Sequence, residues 1–185
     1  MTSKTFSEQG IPKRYKEAHI SKINQEIANI IKKSCEDKTL EKGLYIYGPV
    51  GVGKTYTAYA IYNYIKDLKL PIKMIKSSRI VEASKNSYYS SGYSEDVSEN
   101  KEILKDVKEY KGVLIIDDIG SEKLTEASIA SYLECVDSRY EWEYVTIFIS
   151  NLSLDELKEK VGDRIVSRIY ESSNIFLLEG ASKRL

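Results

Sequence analysis

The chain alternates short, wholly apolar runs with longer stretches in which apolar residues return every three or four positions. Ile23, Ile27, Ile30 and Ile31 mark one face of a helix of about ten residues. Gly43 opens an apolar strand over 44–47, and a helix over 56–70 follows, with Ala58, Ile61, Ile65 and Leu68 as its buried stripe and Pro71 as its stop. A second strand covers 72–75, after which Ser77 and Ser78 are placed to cap a helix carrying Ile80, Val81 and Ala83. Residues 86–94 are a Ser/Tyr-rich stretch with neither a helical nor a strand period, which predicts an exposed, mobile loop. Helical spacing resumes at Ile103, Leu104 and Val107 and stops near Gly112. The continuous apolar run 113–116 then reads as a strand buried on both faces, ending in Asp117 and Asp118. A helix through Ile129, Tyr132, Leu133 and Val136 leads to a strand over 145–149 that ends in Ser150 and Asn151. Two short helices over 153–161 and 163–170, parted by Gly162, and a strand over 175–178 complete the pattern. Five strands alternating with helices predict a three-layer α/β sandwich around a five-stranded parallel sheet, whose crossovers should be right-handed.

Length and composition narrow the setting. At 185 residues the chain has room for one domain with a sizeable core, expected over 11–185 behind a flexible polar arm at 1–10. Basic and acidic residues both number 28, so no global field draws nucleic acid or membrane, and any contact with DNA must be local. Cys35 and Cys135 have no C-x-x-C or His partners; they are expected as buried apolar side chains in a reducing compartment. With no long apolar run and no charged-then-apolar leader, the expected location is the cytoplasm, without a membrane partner. His19, the only histidine, has no partner at ligand or triad spacing and is expected to be structural.

The chemistry gathers around one turn. Gly48-Pro49-Val50-Gly51-Val52-Gly53-Lys54-Thr55 has the form G-x-x-x-x-G-K-[ST], between a strand and a helix that opens at Tyr56. Its glycines let the backbone curl into a nest of N–H groups that cradles phosphate, and the helix adds the positive end of its dipole. Residues 48–56 are therefore the expected nucleotide-binding set for ATP, with Lys54 on the β and γ phosphates and Thr55 on Mg2+. Asp117, at the end of a buried strand, is the expected second metal contact, and Asp118 is placed to polarise the attacking water. Asn151 either orients the same water or caps the helix beginning near Ser153. A small-molecule kinase would need a basic lid and an acceptor pocket, and the sequence offers no pattern for either.

The ordered set GPVGVGKT, VLIIDDIG, IFISN, LDELKEKVGDRIVSRI and EGASKRL, with IPKRY ahead of it, resembles AAA+ ATPases of the DnaC/IstB type. The likeness runs from Ile11 to Arg184 and implies a P-loop NTPase fold of the AAA+ type. It implies that Arg168 is an arginine finger reaching the nucleotide of a neighbouring subunit, with Arg164 as the weaker candidate and a surface salt bridge as the plainer role. It further implies that Arg184 contacts nucleotide within the chain unless the terminus frays, and that Ile11, Pro12 and Tyr15 lie near the adenine. Helicase loaders of this group carry an extra N-terminal region before the first of these motifs, whereas here that motif begins at Ile11. The resemblance leaves three roles open: a loader of a replicative helicase, a transposition helper, or an ATP-bound module that antagonises a loader. Lys76, Arg79, Lys85, Tyr88, Tyr89 and Tyr93 mix cations with stacking faces suited to single-stranded DNA, against the alternative of an acid-containing linker with Glu95, Asp96 and Glu99.

Overall fold

The computed structural model describes residues 10–37, 41–89 and 95–180, the side chains of 86–89 and 95–97 excepted. Two short 3-10 helices (Lys13–Tyr15 and Ile20–Lys22) precede α1 (Gln25–Asp37), β1 (Gly43–Tyr47), α2 (Lys54–Asp67), β2 (Ile72–Lys76), α3 (Ser77–Tyr89) and α4 (Glu95–Glu109). Next come β3 (Val113–Ile119), α5 (Glu126–Glu141), β4 (Thr146–Ser150), α6 (Leu154–Val161), α7 (Asp163–Ser172) and β5 (Ser173–Leu177). All strand pairs are parallel, in the order β2-β3-β4-β1-β5.

The period of two along each strand divides the core. Tyr45, Leu114, Ile116 and Phe148 face one side, where Ile80, Ile103, Tyr132, Leu157 and Ile169 of α3 to α7 cover them. Leu44, Ile46, Ile115, Ile147 and Ile149 face the other side, against Ile27 and Ile31 of α1 and Ala58, Ile61 and Ile65 of α2. The expected three-layer α/β sandwich is thus the observed one. From β1 the chain passes to β2 at one edge, returns through β3 and β4, and ends as β5 on the far side of β1. That reversal opens a crevice at the carboxyl end of β1, the position where open α/β sheets bind ligands.

Several local expectations are corrected. Leu68 is the C-cap of α2 and is exposed, because the helix ends at Asp67 and its buried stripe is completed by Ala60 and Thr57 instead. The stretch expected to be a loop from Asn86 is helical as far as Tyr89. Asn, Ser and Tyr each cost at most about 0.7 kcal/mol in a helix, and no glycine or proline intervenes before Gly92. The expectation for 90–94 lies outside the described residues. Ser77 is fully buried, its hydroxyl paired with that of Tyr132, so it joins α3 to α5. Cys135 is buried as expected, but Cys35 is only half-buried near the end of α1. His19 is structural: its side chain accepts the Ser21 N–H at 3.2 Å and caps the second 3-10 helix.

One unanticipated residue ties the edge of the sandwich together. Arg139 of α5 is buried and donates from Nε to Thr146 Oγ1 at 2.6 Å. Its Nη1 donates to the carbonyls of Val107 and Tyr110 at 3.0 and 2.8 Å, and its Nη2 to those of Gly112 and Val145 at 3.3 and 2.9 Å. The end of α4 and the starts of β3 and β4 therefore converge on one guanidinium. Burial lowers its pKa to about 10, which leaves it charged at neutral pH. Arg139→Ala should lower the unfolding free energy by about 3–5 kcal/mol in a urea titration, because it strands buried carbonyls along with the lost packing. A loss under about 1 kcal/mol would show the clamp to be ornamental.

Candidate nucleotide-binding site

The turn between β1 and α2 is shaped by backbone conformations that favour glycine. Gly53, the N-cap of α2, sits at φ 102°, in the left-handed region, and supplies no side chain to the first N–H groups of the helix. Those donors are left pointing out of the loop, the arrangement that suits an anion. At Gly48 a Cβ would lie 2.1 Å from the carbonyl oxygen of Leu178, so any side chain would force β1 away from the strand end beside it. Lys54 is 7% exposed and its ammonium donates to the carbonyls of Gly48 at 2.6 Å and Pro49 at 2.7 Å. The lysine thus braces the loop from inside.

The acid pair lies across the crevice. Neighbouring strand residues ordinarily point to opposite faces, yet Asp117 and Asp118 both line this cleft. The ladder between β3 and β4 shifts register between Ile116 and Ile119, and Asp118 adopts φ 66°, a conformation that Asp tolerates better than most residues. The bulge re-aims the second acid. Asp117 is 5% exposed, and its Oδ1 has no hydrogen-bond partner among the described residues. Burial first, and the charge of Asp118 second, push its pKa up to about 6, against the pull of Lys76 and Lys54. Asp118 is exposed, and its Oδ1 accepts a hydrogen bond from Nδ2 of Asn151 at 2.9 Å. The cap of α6 is Ser153, in a capping box with Glu156, so Asn151 does not serve there. Ser150 fixes the strand end by donating to the carbonyl of Ile119 at 2.8 Å.

The cleft, about 850 Å3, is also lined by Val50, Gly51, Gly53, Thr55, Tyr56, Pro12 and Tyr15. Tyr15 stacks on Tyr59 of α2 with ring centroids 4.5 Å apart and planes at 12°. Asn63 holds the segment in place, donating to the carbonyls of Tyr15 at 3.2 Å and Ala18 at 2.9 Å. Gly48, Pro49 and Val52 form the back of the loop, and Ile11 is half-buried outside the cleft wall. Arg14, Lys76, Ser78, Ser121 and Ile149 also line the cleft without having been expected there, as do Tyr59 and Glu122. Tyr59 lies one helical turn beyond Tyr56, a spacing that could have revealed it; Glu122, beyond the acid pair, belongs to no motif.

Arg168 lies outside the cleft, on α7. Its Nε donates to Asp137 Oδ1 at 3.3 Å, its Nη1 is 4.0 Å from Glu171 Oε2, and its guanidinium carbon is 4.4 Å from the centroid of Tyr140. Arg164 bonds the other oxygen of Asp137 at 2.6 Å. Lys85 is half-buried in α3; the side chains of Tyr88 and Tyr89, together with Tyr93 and Arg184, lie outside the described residues.

The donors present suit a hydrated divalent cation. Among the described residues no group of three His, Cys, Asp or Glu converges to chelate an ion. Mg2+ keeps several waters and takes one or two carboxylates plus phosphate oxygens, and a buried, unpartnered Asp117 oxygen on the same cleft as Thr55 matches that habit.

A parallel sheet with a phosphate-cradling loop at the end of β1 and an acid pair at the end of β3 defines a P-loop nucleotide-binding protein. Residues 44–172 match the model of the ATPase family associated with various cellular activities (AAA), and the chain belongs to that family. It is 29% identical over 168 residues to the replicative helicase loader DnaI of Bacillus subtilis, a match covering 82% of this chain and 50% of that protein. It spans about half the length of the curated relatives it matches. The crystal structure of DnaI superposes with a TM-score of 0.75 at 21% identity, covering 94% of each chain. A replication initiator DnaA bound to AMPPCP and single-stranded DNA superposes with a TM-score of 0.72 at 20% identity, covering 92% of this chain and 51% of that one. No helix among the described residues is long and apolar enough to cross a membrane.

Proposed function

We propose that the chain is an ATP-hydrolysing AAA+ module that acts in DNA replication by loading or remodelling a replicative helicase. The observation that carries the enzymatic part is the meeting of Lys54, Thr55, Asp117, Asp118 and Asn151 on one cleft. The similarity to the helicase loader DnaI supports the replicative part.

The backbone N–H groups at the start of α2 bind phosphate, and Lys54 turns from the Gly48 and Pro49 carbonyls to the β and γ phosphates. Thr55 and Asp117 are the residues that would hold Mg2+, which when bound with ATP would supply positive charge against the phosphates. Asp118 accepts the proton of the attacking water, while Asn151 fixes the orientation of that carboxylate through its 2.9 Å hydrogen bond. Tyr15, Pro12 and Tyr56 face the base.

Arg168 acts in trans, on the nucleotide of a second copy. Its position on α7, apart from the chain's own cleft, supports that reading, and a guanidinium supplied by a neighbour couples turnover to assembly. Arg168→Ala mixed with Lys54→Ala should recover ATP turnover that neither variant shows alone, since hybrid interfaces pair an intact cleft with an intact arginine. Absence of recovery at every mixing ratio, with both variants folded and assembling, would remove Arg168 from this role. A DnaA structure holding single-stranded DNA supports a DNA-facing surface on the same fold. For this chain we assign that surface to the region of Lys85, Tyr88, Tyr89 and Tyr93.

The test of the replicative role is direct mixing with the replicative helicase of the same host. Loaded with ATP, the Asp118→Asn variant should co-elute with the helicase, and nucleotide-free protein should not. Tight ATP binding without any helicase complex would favour a transposition helper or an antagonist of a loader.

A further inference from the structure

Besides Asp117 and Asp118, one more acid among the described residues lines the nucleotide cleft. Glu122 follows β3 by three residues, and both of its carboxylate oxygens are shielded from solvent with no hydrogen-bond partner among the described residues. Asp117 Oδ1, on the same cleft and in a residue that is 5% exposed, is equally unpartnered. A carboxylate without partners away from water is costly, and native proteins seldom keep one unless a ligand completes it. Two such groups on one cleft call for positive charge. Arg14, Lys54 and Lys76 also line the cleft, and Lys54 and Lys76 pull on Asp117, yet neither Glu122 oxygen has a hydrogen-bond partner among the described residues.

We propose that Glu122 is an outer contact of the divalent cation that enters with ATP, accepting hydrogen bonds from the cation's water shell while Asp117 and Thr55 hold the ion itself. The absence of any three-acid chelating group among the described residues fits a contact made through water. The assignment rests on the reading of the cleft as an ATP site. It adds that Glu122 sacrifices stability in the metal-free protein to gain cation affinity, and the two effects have opposite signs in one variant.

Glu122→Gln removes the charge and keeps the shape. Binding of a fluorescent ATP analogue should weaken about tenfold in Mg2+, within the range seen when outer contacts of a metal are removed, and should be unchanged in EDTA. The metal-free, nucleotide-free variant should melt about 2–4 °C higher than the wild type, because a stranded charge has been relieved. Glu122→Asp, which keeps the charge, should retain most of the Mg2+ dependence. Equal Mg2+ dependence in wild type and Glu122→Gln overturns the proposal while leaving the ATP site intact. A lowered Tm or a failure to fold also overturns it, since a structural role predicts those outcomes. Weakened binding that persists in EDTA and varies with protein concentration overturns it in favour of a cation from a second copy. A wild-type chain that binds no nucleotide in either buffer removes both the proposal and the site reading beneath it.

Discussion

Lys54→Ala is expected to weaken ATP binding by at least about 100-fold, in the presence and absence of Mg2+ alike. Charge-assisted hydrogen bonds are worth about 1.5–3 kcal/mol each, and two of them to the β and γ phosphates account for a loss of that size. The position allows no substitute: the side chain is almost wholly buried beneath the loop, and no other cation among the cleft-lining residues sits on the phosphate-binding turn itself. The variant also deprives the Gly48 and Pro49 carbonyls of a donor. Its melting temperature must therefore be read beside its affinity. Retained affinity within tenfold of the wild type would mean that the anion-binding turn works without its lysine.

Asp118→Asn is expected to leave ATP binding in place and to lower turnover by about 10²–10⁴-fold, the contribution typical of a general base. The structure makes this a clean substitution. Asp118 is exposed, so no buried charge is lost, and asparagine tolerates its φ of 66° as readily as aspartate does. An asparagine carbonyl oxygen can still accept the hydrogen bond from Asn151. Only the proton-accepting capacity disappears. Asp117 does not replace it on this reading, because that residue is 5% exposed, away from the water that reaches Asp118, and its carboxyl is assigned to the cation.

Much of this architecture was legible because burial on both sheet faces writes continuous apolar runs. Residues 44–47 and 113–116 announced β1 and β3, and the glycine-rich turn identified the strand end that carries the site. The full extent of β3 was hidden, since backbone pairing continues through Asp117, opposite Lys76, whatever the polarity of the side chains. The bulge at Asp118 left no trace, being a matter of φ and register rather than of residue type. The helical reach of α3 into Asn86–Tyr89 was obscured by a composition that resembles a linker. Tyr59 and Glu122 were missed for a related reason: the fold brings them to the cleft from positions outside every motif. Arg139 looked like one more charge on an amphipathic helix, and only the packing of α4, β3 and β4 around it reveals the clamp.

The central claim is that this cleft hydrolyses ATP with Asp118 as the group that activates water. Single-turnover hydrolysis of radiolabelled ATP, run with wild type and Asp118→Asn at matched nucleotide occupancy, tests it most directly. Release of phosphate by the wild type, with retained and uncleaved ATP in the variant, is the predicted result. Equal rates of cleavage in the two proteins would contradict it.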